Sequence, residues 1–167
     1  MQNYKIIKPE DIQENTFSLI GKDWMLITAG SLDNFNTMTA SWGTLGVLWS
    51  KKICICFVRP SRYTYEFMER ENSFSLSFFG DEYRQALNFC GSNSGRDVDK
   101  IKATGLTPFE TENGIVSFEQ AKLIITCNKI YTQNLDPENY IGIMNPDFKN
   151  DCHKMYFGEI RSCMIKE

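Results

Sequence analysis

Residues 73–79 read SFSLSFF, and this stretch limits the fold more than any other. Side chains on a strand alternate between faces, so Phe74, Leu76 and Phe78 share one side and the serines the other. A helix cannot present that pattern as one apolar face. Ile53 to Val58 (ICICFV) is apolar on both faces, as in a strand covered from both sides, and Arg59-Pro60 ends it. Trp24 to Ala29 (WMLITA) reads as a further buried strand, preceded by a short helix capped by Asn15 or Thr16. Gly30 to Asn36 (GSLDNFN) carries turn chemistry. It leads into NTMTASWG, where alternation sets Thr37, Thr39 and Ser41 against Met38, Ala40 and Trp42. Ser117 to Gln133, interrupted at Glu119 to Lys122, and Met155 to Ile165 bring the inventory to about six strands.

Short helices fall between these strands. Ser61 reads as the N-cap of a helix RYTYEFMERE, in which Tyr63, Phe67 and Met68 share a face. Asp81 to Phe89 and Asp97 to Ala103 are two more, separated by CGSNSGR, and the second is broken by Gly105 and Pro108. The regular strand–helix alternation of a parallel doubly wound sheet is missing, so the pattern predicts a mainly β, antiparallel barrel with helical insertions. With 167 residues and no linker, repeat or low-complexity segment, residues 1–167 read as one domain.

Composition narrows the function classes. A net charge of −3 and a pI near 5.3 argue against a nucleic-acid surface. No apolar run is long enough for a membrane span, and MQNYKIIKPED lacks the apolar core of a secretory signal. The 6 cysteines form no C-x-x-C pair and read as reduced thiols, which points to the cytoplasm. With 1 histidine and no zinc-type spacing, no metal site is expected.

The strongest local constellation is VRPSRYTYEF. A helix starting at Arg62 would offer the N–H groups of Arg62, Tyr63 and Thr64 without intrahelical acceptors, together with the dipole's partial positive charge. The Thr64 hydroxyl and the Arg62 guanidinium complete a phosphate seat. The plainer reading is an ordinary capped helix with a solvated arginine. A second basic turn, SGRDVDK, adds Arg96 and Lys100. Neither a P-loop nor a G-x-G-x-x-G dinucleotide turn is present. The hydroxyls of Thr37, Thr39 and Ser41 span about 13 Å and suit either water or an elongated polar ligand.

In that order, NTMTASWG, VRPSRYTYEF, SFSLSFF and CGSNSGRDVDK resemble the flavin reductase-like family of FMN-binding split barrels, near the flavoredoxin branch. HKMYFGEI resembles that family's last strand, and the likeness runs from about Asn15 to Ile165. The resemblance implies a six-stranded antiparallel Greek-key split β-barrel with short inserted helices. It also implies a homodimer with FMN near the subunit interface, and six aromatics between Tyr63 and Phe79 add apolar surface for a partner to cover.

The same resemblance implies where the cofactor lies. Thr37, Thr39, Ala40, Ser41 and Trp42 are expected along the flavin and its tail, the hydroxyls matching a ribityl chain, and Gly43 permits close backbone approach. Val58, Arg59, Arg62, Tyr63 and Thr64 are expected at the phosphate end. Ser77 and Phe78 are expected beside the flavin, and Cys90, Gly91, Ser94, Arg96 and Lys100 at the pocket's closure. His153 is expected on the nicotinamide or substrate side, although Cys152 stands where reductase relatives often carry Asp. The implied function is an FMN-binding oxidoreductase, passing hydride or electrons from NAD(P)H or a reduced protein partner to a flavin or other acceptor. The alternative is a non-catalytic FMN-binding electron carrier or flavin store.

Overall fold

The computed structural model describes residues 4–142 and 145–167. Its main element is an antiparallel sheet ordered β3-β2-β6-β9-β10-β5-β4, with β1 added on β10. In chain order the strands are β1 (Tyr4–Ile7), β2 (Met25–Ser31), β3 (Asn34–Ala40), β4 (Gly43–Leu48), β5 (Lys51–Val58) and β6 (Ser73–Phe78). They continue with β7 (Pro108–Glu110), β8 (Val116–Phe118), β9 (Leu123–Asn134) and β10 (Lys154–Lys166), and β7 and β8 form a small separate sheet. The helices are α1 (Thr16–Ser18), α2 (Tyr63–Arg70), α3 (Arg84–Ser92), α4 (Lys100–Thr104) and α5 (Pro146–Lys149).

This is the mainly β, antiparallel architecture with short helices that the strand pattern predicts, and the split barrel that the resemblance implies, with more strands than expected. The main sheet has 8. β1, β4 and β7 are additions, and the expected strand Ser117 to Gln133 is divided at its interruption into β8 and β9. β4 contains two glycines and β7 starts at a proline, which weaken strand signals.

β10 is the strand that joins three others. Along its length it pairs with β9, and on its other edge it pairs first with β5 and then with β1. Register shifts between Phe157 and Gly158 and between Ile160 and Ser162 bend it so that it can serve both partners.

The alternation in β6 is visible in the packing. Phe74, Leu76 and Phe78 join the larger core with Met25, Ile27, Met38, Phe67 and Tyr156. The serine face meets β8 instead of water. Ser75 Oγ donates to the Val116 carbonyl at 2.6 Å, and Ser77 Oγ bonds Ser117 Oγ at 2.8 Å. Buried hydroxyls need such partners, which explains why a fully covered strand still alternates. Phe67, Phe74, Phe78 and Phe79 are all buried within one chain, so they leave little aromatic surface for a partner to cover.

Several local boundaries differ from the sequence reading. Asn15 does cap α1, its Oδ1 accepting from the N–H groups of Phe17 and Ser18. The turn after β2 is only Leu32 and Asp33, because pairing continues to Ser31 opposite Asn34. α3 runs on to Ser92, so Cys90 and Gly91 are helical rather than part of a loop. α4 starts later than Asp97, at Lys100 with Asp99 as its cap, and ends at Gly105 with φ +69°.

Gly158 sits at the bend of β10, where an added Cβ would fall 2.6 Å from Phe74 Cζ and 2.7 Å from Cys127 Cβ. Gly158→Ala is therefore expected to destabilise the fold by about 1–3 kcal/mol through overpacking. Urea unfolding should show a lower midpoint with an unchanged slope.

Candidate functional site

The NTMTASWG hydroxyls turn out to be mostly structural. Thr37 Oγ1 lies 2.8 Å from Thr28 Oγ1 and 3.2 Å from the Ile27 carbonyl, tying β3 to β2. Thr39 Oγ1 donates to the Leu87 carbonyl, tying β3 to α3. Gly91 allows that contact, since a Cβ there would lie 3.2 Å from Thr39 Cβ. The expected comb of free hydroxyls is thus reduced to Ser41, just past the end of β3, and to Thr39, which lines the larger cavity described next with its proton already committed to Leu87.

Two adjoining cavities lie at this end of the barrel. One, of about 400 Å³, is lined by Met38, Thr39, Ala40, Ser41, Trp42, Phe57, Arg59, Ser61, Arg62 and His153. The other, of about 200 Å³, runs past Arg62, Tyr63, Thr64, Ser92, Ser94 and Lys100. Met38, Ser61 and Arg62 line both.

The chain turns sharply between them. β5 stops at Val58, Pro60 cannot extend it, and the Arg62 N–H donates to the Arg59 carbonyl at 3.0 Å. α2 then begins at Tyr63, one residue later than the sequence suggests, with Arg62 rather than Ser61 at the N-cap. Ser61 is diverted because its hydroxyl donates to Asp151 Oδ2 at 2.6 Å and its N–H to Asp151 Oδ1 at 3.3 Å. The first N–H groups of α2, those of Tyr63 and Thr64, belong to residues of the smaller cavity and have no acceptor within the helix. Asn36 anchors this corner: its Nδ2 donates to Thr64 Oγ1 at 2.7 Å. The loop over it needs glycine, as a Cβ on Gly95 would fall 2.1 Å from Asn36 Oδ1.

Positive charge is concentrated here. Lys100 is buried and donates to the carbonyls of Thr37 and Cys90, both at 2.8 Å. Burial pushes its pKa down to about 8, opposed by Cys90 and reinforced by Arg62. The Arg62 guanidinium has no hydrogen-bond partner among the described residues. Its pKa is lowered by burial and by the like charge of Arg59, against a partial offset from Asp151. Arg59 Nε donates to His153 Nε2 at 3.2 Å, which places the histidine proton on Nδ1. Burial, then Arg59, hold His153 below its usual pKa, against a partial offset from Asp151.

Around that pair stand two aromatic rings. Trp42 lies 5.0 Å from His153 and 5.5 Å from Phe148, and the Arg59 guanidinium sits 4.8 Å above Phe148. Cys152 has a local task, donating its thiol hydrogen to the Phe148 carbonyl at the end of α5.

Other residues assigned from the resemblance lie elsewhere. Val58, Ser77, Phe78 and Cys90 are fully buried and line neither cavity. Ser77 is held by Ser117, Phe78 is core, and burial raises the Cys90 thiol pKa. Gly91 lines neither cavity. Arg96 also lines neither cavity; it is paired with Glu66 and stacked 4.7 Å over Tyr63. Met38, Phe57, Ser61 and Asn36 are additions that sequence reasoning missed. Asn36 and Ser61 stood inside the quoted motifs, but their partners are 28 and 90 positions away, beyond any local signal.

Comparison with known proteins gives a consistent picture. Residues 17–167 match the family model described as flavin reductase like domain. No curated protein sequence shows significant similarity to the chain. Flavoredoxin from Methanosarcina acetivorans has a similar structure, with TM-score 0.67 and 22% identity over 87% of this chain and 69% of that one. The FMN-binding domain of a flavin reductases-like enzyme from Shewanella baltica gives TM-score 0.72 and 17% identity, over 99% and 78%. An NADH:FAD oxidoreductase from Streptomyces globisporus gives 0.64 and 17%, over 86% and 74%. The family match spans nearly the whole chain, and the chain belongs to the flavin reductase-like domain family.

Proposed function

We propose that the chain binds FMN across the two adjoining cavities and works as an FMN-dependent oxidoreductase. One observation carries this reading. Arg59, Arg62 and Lys100 converge there with no carboxylate in either lining, and among the described residues only Asp151, bonded to Ser61, partly offsets the charge of Arg62. Half-buried like charges repel, so the arrangement asks for an anion. The unpartnered Arg62 guanidinium, the N–H groups of Tyr63 and Thr64 and the hydroxyl of Ser94 form a donor set that fits a phosphate. The wider cavity, with Met38, Ala40, Trp42 and Phe57, fits a flat ring and excludes water from it.

The flavin, when bound, supplies acceptance and release of hydride. The chain's own residues bind, orient and shield. The Arg59 Nε–H donates to His153 Nε2, which leaves the histidine proton on Nδ1, where it can donate to a nicotinamide or other substrate carbonyl. NADH, NADPH or a reduced protein is the electron donor in this reading, and the work is done in the cytoplasm. The chain acts as a homodimer, a proposal supported by Val47 and Trp49, 64% and 63% exposed on the β4–β5 hairpin. A non-catalytic electron carrier is the second reading, favoured by the close packing of Trp42 and Phe148 around His153. Steady-state oxidation of NADH and NADPH, with and without free FMN or FAD as acceptor, separates the two.

Arg62→Ala removes one charge-assisted contact, worth roughly 1.5–3 kcal/mol, so FMN affinity should fall about ten- to a hundredfold. Riboflavin, which has no phosphate, should bind that variant as it binds the parent. Equal losses would move Arg62 away from the phosphate.

Lys100 gives a pH dependence with a definite sign. Its amine is charged below about pH 8 and loses that charge as pH rises. A neighbouring phosphate raises the pKa, so FMN affinity relative to riboflavin should decline from about pH 8 upward. Lys100→Met should flatten that decline in fluorescence titrations.

A further inference from the structure

We infer that the chain has a second binding site, beside the cofactor cavities, for a flat and uncharged aromatic or quinone-type molecule. The site is a cavity of about 470 Å³ between the α1 segment and β4, within the size range of small-molecule pockets. Its apolar wall comes from Phe17, Ile20, Trp42 and Leu45. It has no Asp, Glu, Lys, Arg or His in its lining, whereas the 400 Å³ cavity next to it contains Arg59, Arg62 and His153. Ser41 and Trp42 line both cavities, so a molecule held here lies directly beside one held there.

The lining specifies the occupant's chemistry. A charged ligand would meet no counter-charge in this lining, which argues for a neutral one. The diphosphate of a nicotinamide dinucleotide would find no cation. Phe17 is 89% exposed and Trp42 48%, two bare aromatic surfaces that a flat ring would cover. The hydroxyls of Thr16 and Ser41 supply donors for a single carbonyl or hydroxyl on that ring.

Local backbone keeps the space open. The segment Leu19–Asp23 is a π-helical turn, and an added Cβ on Gly21 would meet nothing within 4 Å. Gly21 lines the cavity, so a larger side chain can be introduced at its wall without meeting a neighbouring atom at its Cβ. As the seat of an electron acceptor, the site rests on the FMN reading above. As a binding site it stands on its own lining.

The test titrates the full-length protein calorimetrically with 2-naphthol, neutral at neutral pH, and with naphthalene-2-sulfonate, an anion of similar shape. The neutral probe should bind saturably, and the sulfonate at least about tenfold more weakly. Gly21→Leu should weaken 2-naphthol by at least about tenfold while FMN affinity stays within about twofold of the parent. Phe17→Ala, a change at an exposed side chain, should weaken it as well and decides the matter if Gly21→Leu does not fold. Tighter or equal binding of the sulfonate overturns the inference, since the cation cluster would then be governing. Unchanged 2-naphthol binding in the variants, or a parallel loss of FMN in Gly21→Leu, overturns it too. If FMN fails to bind the parent while 2-naphthol behaves as expected, the cofactor reading falls and this site stands.

Discussion

The pairing of β10 is the constraint on which the site depends. Because Lys154 lies opposite Val58, the residue before β10 and the residue after β5 are neighbours. Those residues are His153 and Arg59, and their hydrogen bond follows directly from the register. A one-residue slip would turn every side chain of β10 to the other face and separate them. The register shift at Gly158 lets the same strand reach β1 at its far end, so one strand both links β9, β5 and β1 and builds one wall of the site.

The second organising feature is electrostatic. Folding places Arg59, Arg62 and Lys100 around two adjoining cavities, and the energetic cost shows in the lowered pKa of both Arg62 and Lys100. Lys100 is satisfied by two carbonyls, which meets its hydrogen-bond needs without cancelling its charge. Such an arrangement stabilises little by itself. It is understandable as a site prepared for an anion, with the α2 N-terminus adding its own partial charge. The neighbouring uncharged cavity behind Trp42 then divides the region into a charged half and a neutral half.

Much of this was legible in the sequence where the signal is local. The alternation of SFSLSFF and the breaker at Gly105 gave β6 and the end of α4, because each depends on its own few residues. VRPSRYTYEF announced a helix start beside two arginines, and the structure has one there. What could not be read was the destination of short polar side chains. Thr37 looks like a ligand group in a list of alternating residues, yet Thr28 on the neighbouring strand takes it, and Thr39, which does line the larger cavity, gives its proton to the Leu87 carbonyl 48 positions away. Ser61 has the form of an N-cap, and only the approach of Asp151 removes it from that position. Ser77 and Phe78 were drawn to the site by likeness of motif, while their burial is set by β8 and the core.

The central claim is that the corner between β5 and α2 receives the FMN phosphate. A crystal structure of the protein grown with FMN tests it most directly. The account predicts phosphate density within hydrogen-bond distance of the Arg62 guanidinium and the Tyr63 and Thr64 N–H groups, with the ring against Trp42. A phosphate elsewhere, with Arg62 left unpartnered, would contradict it.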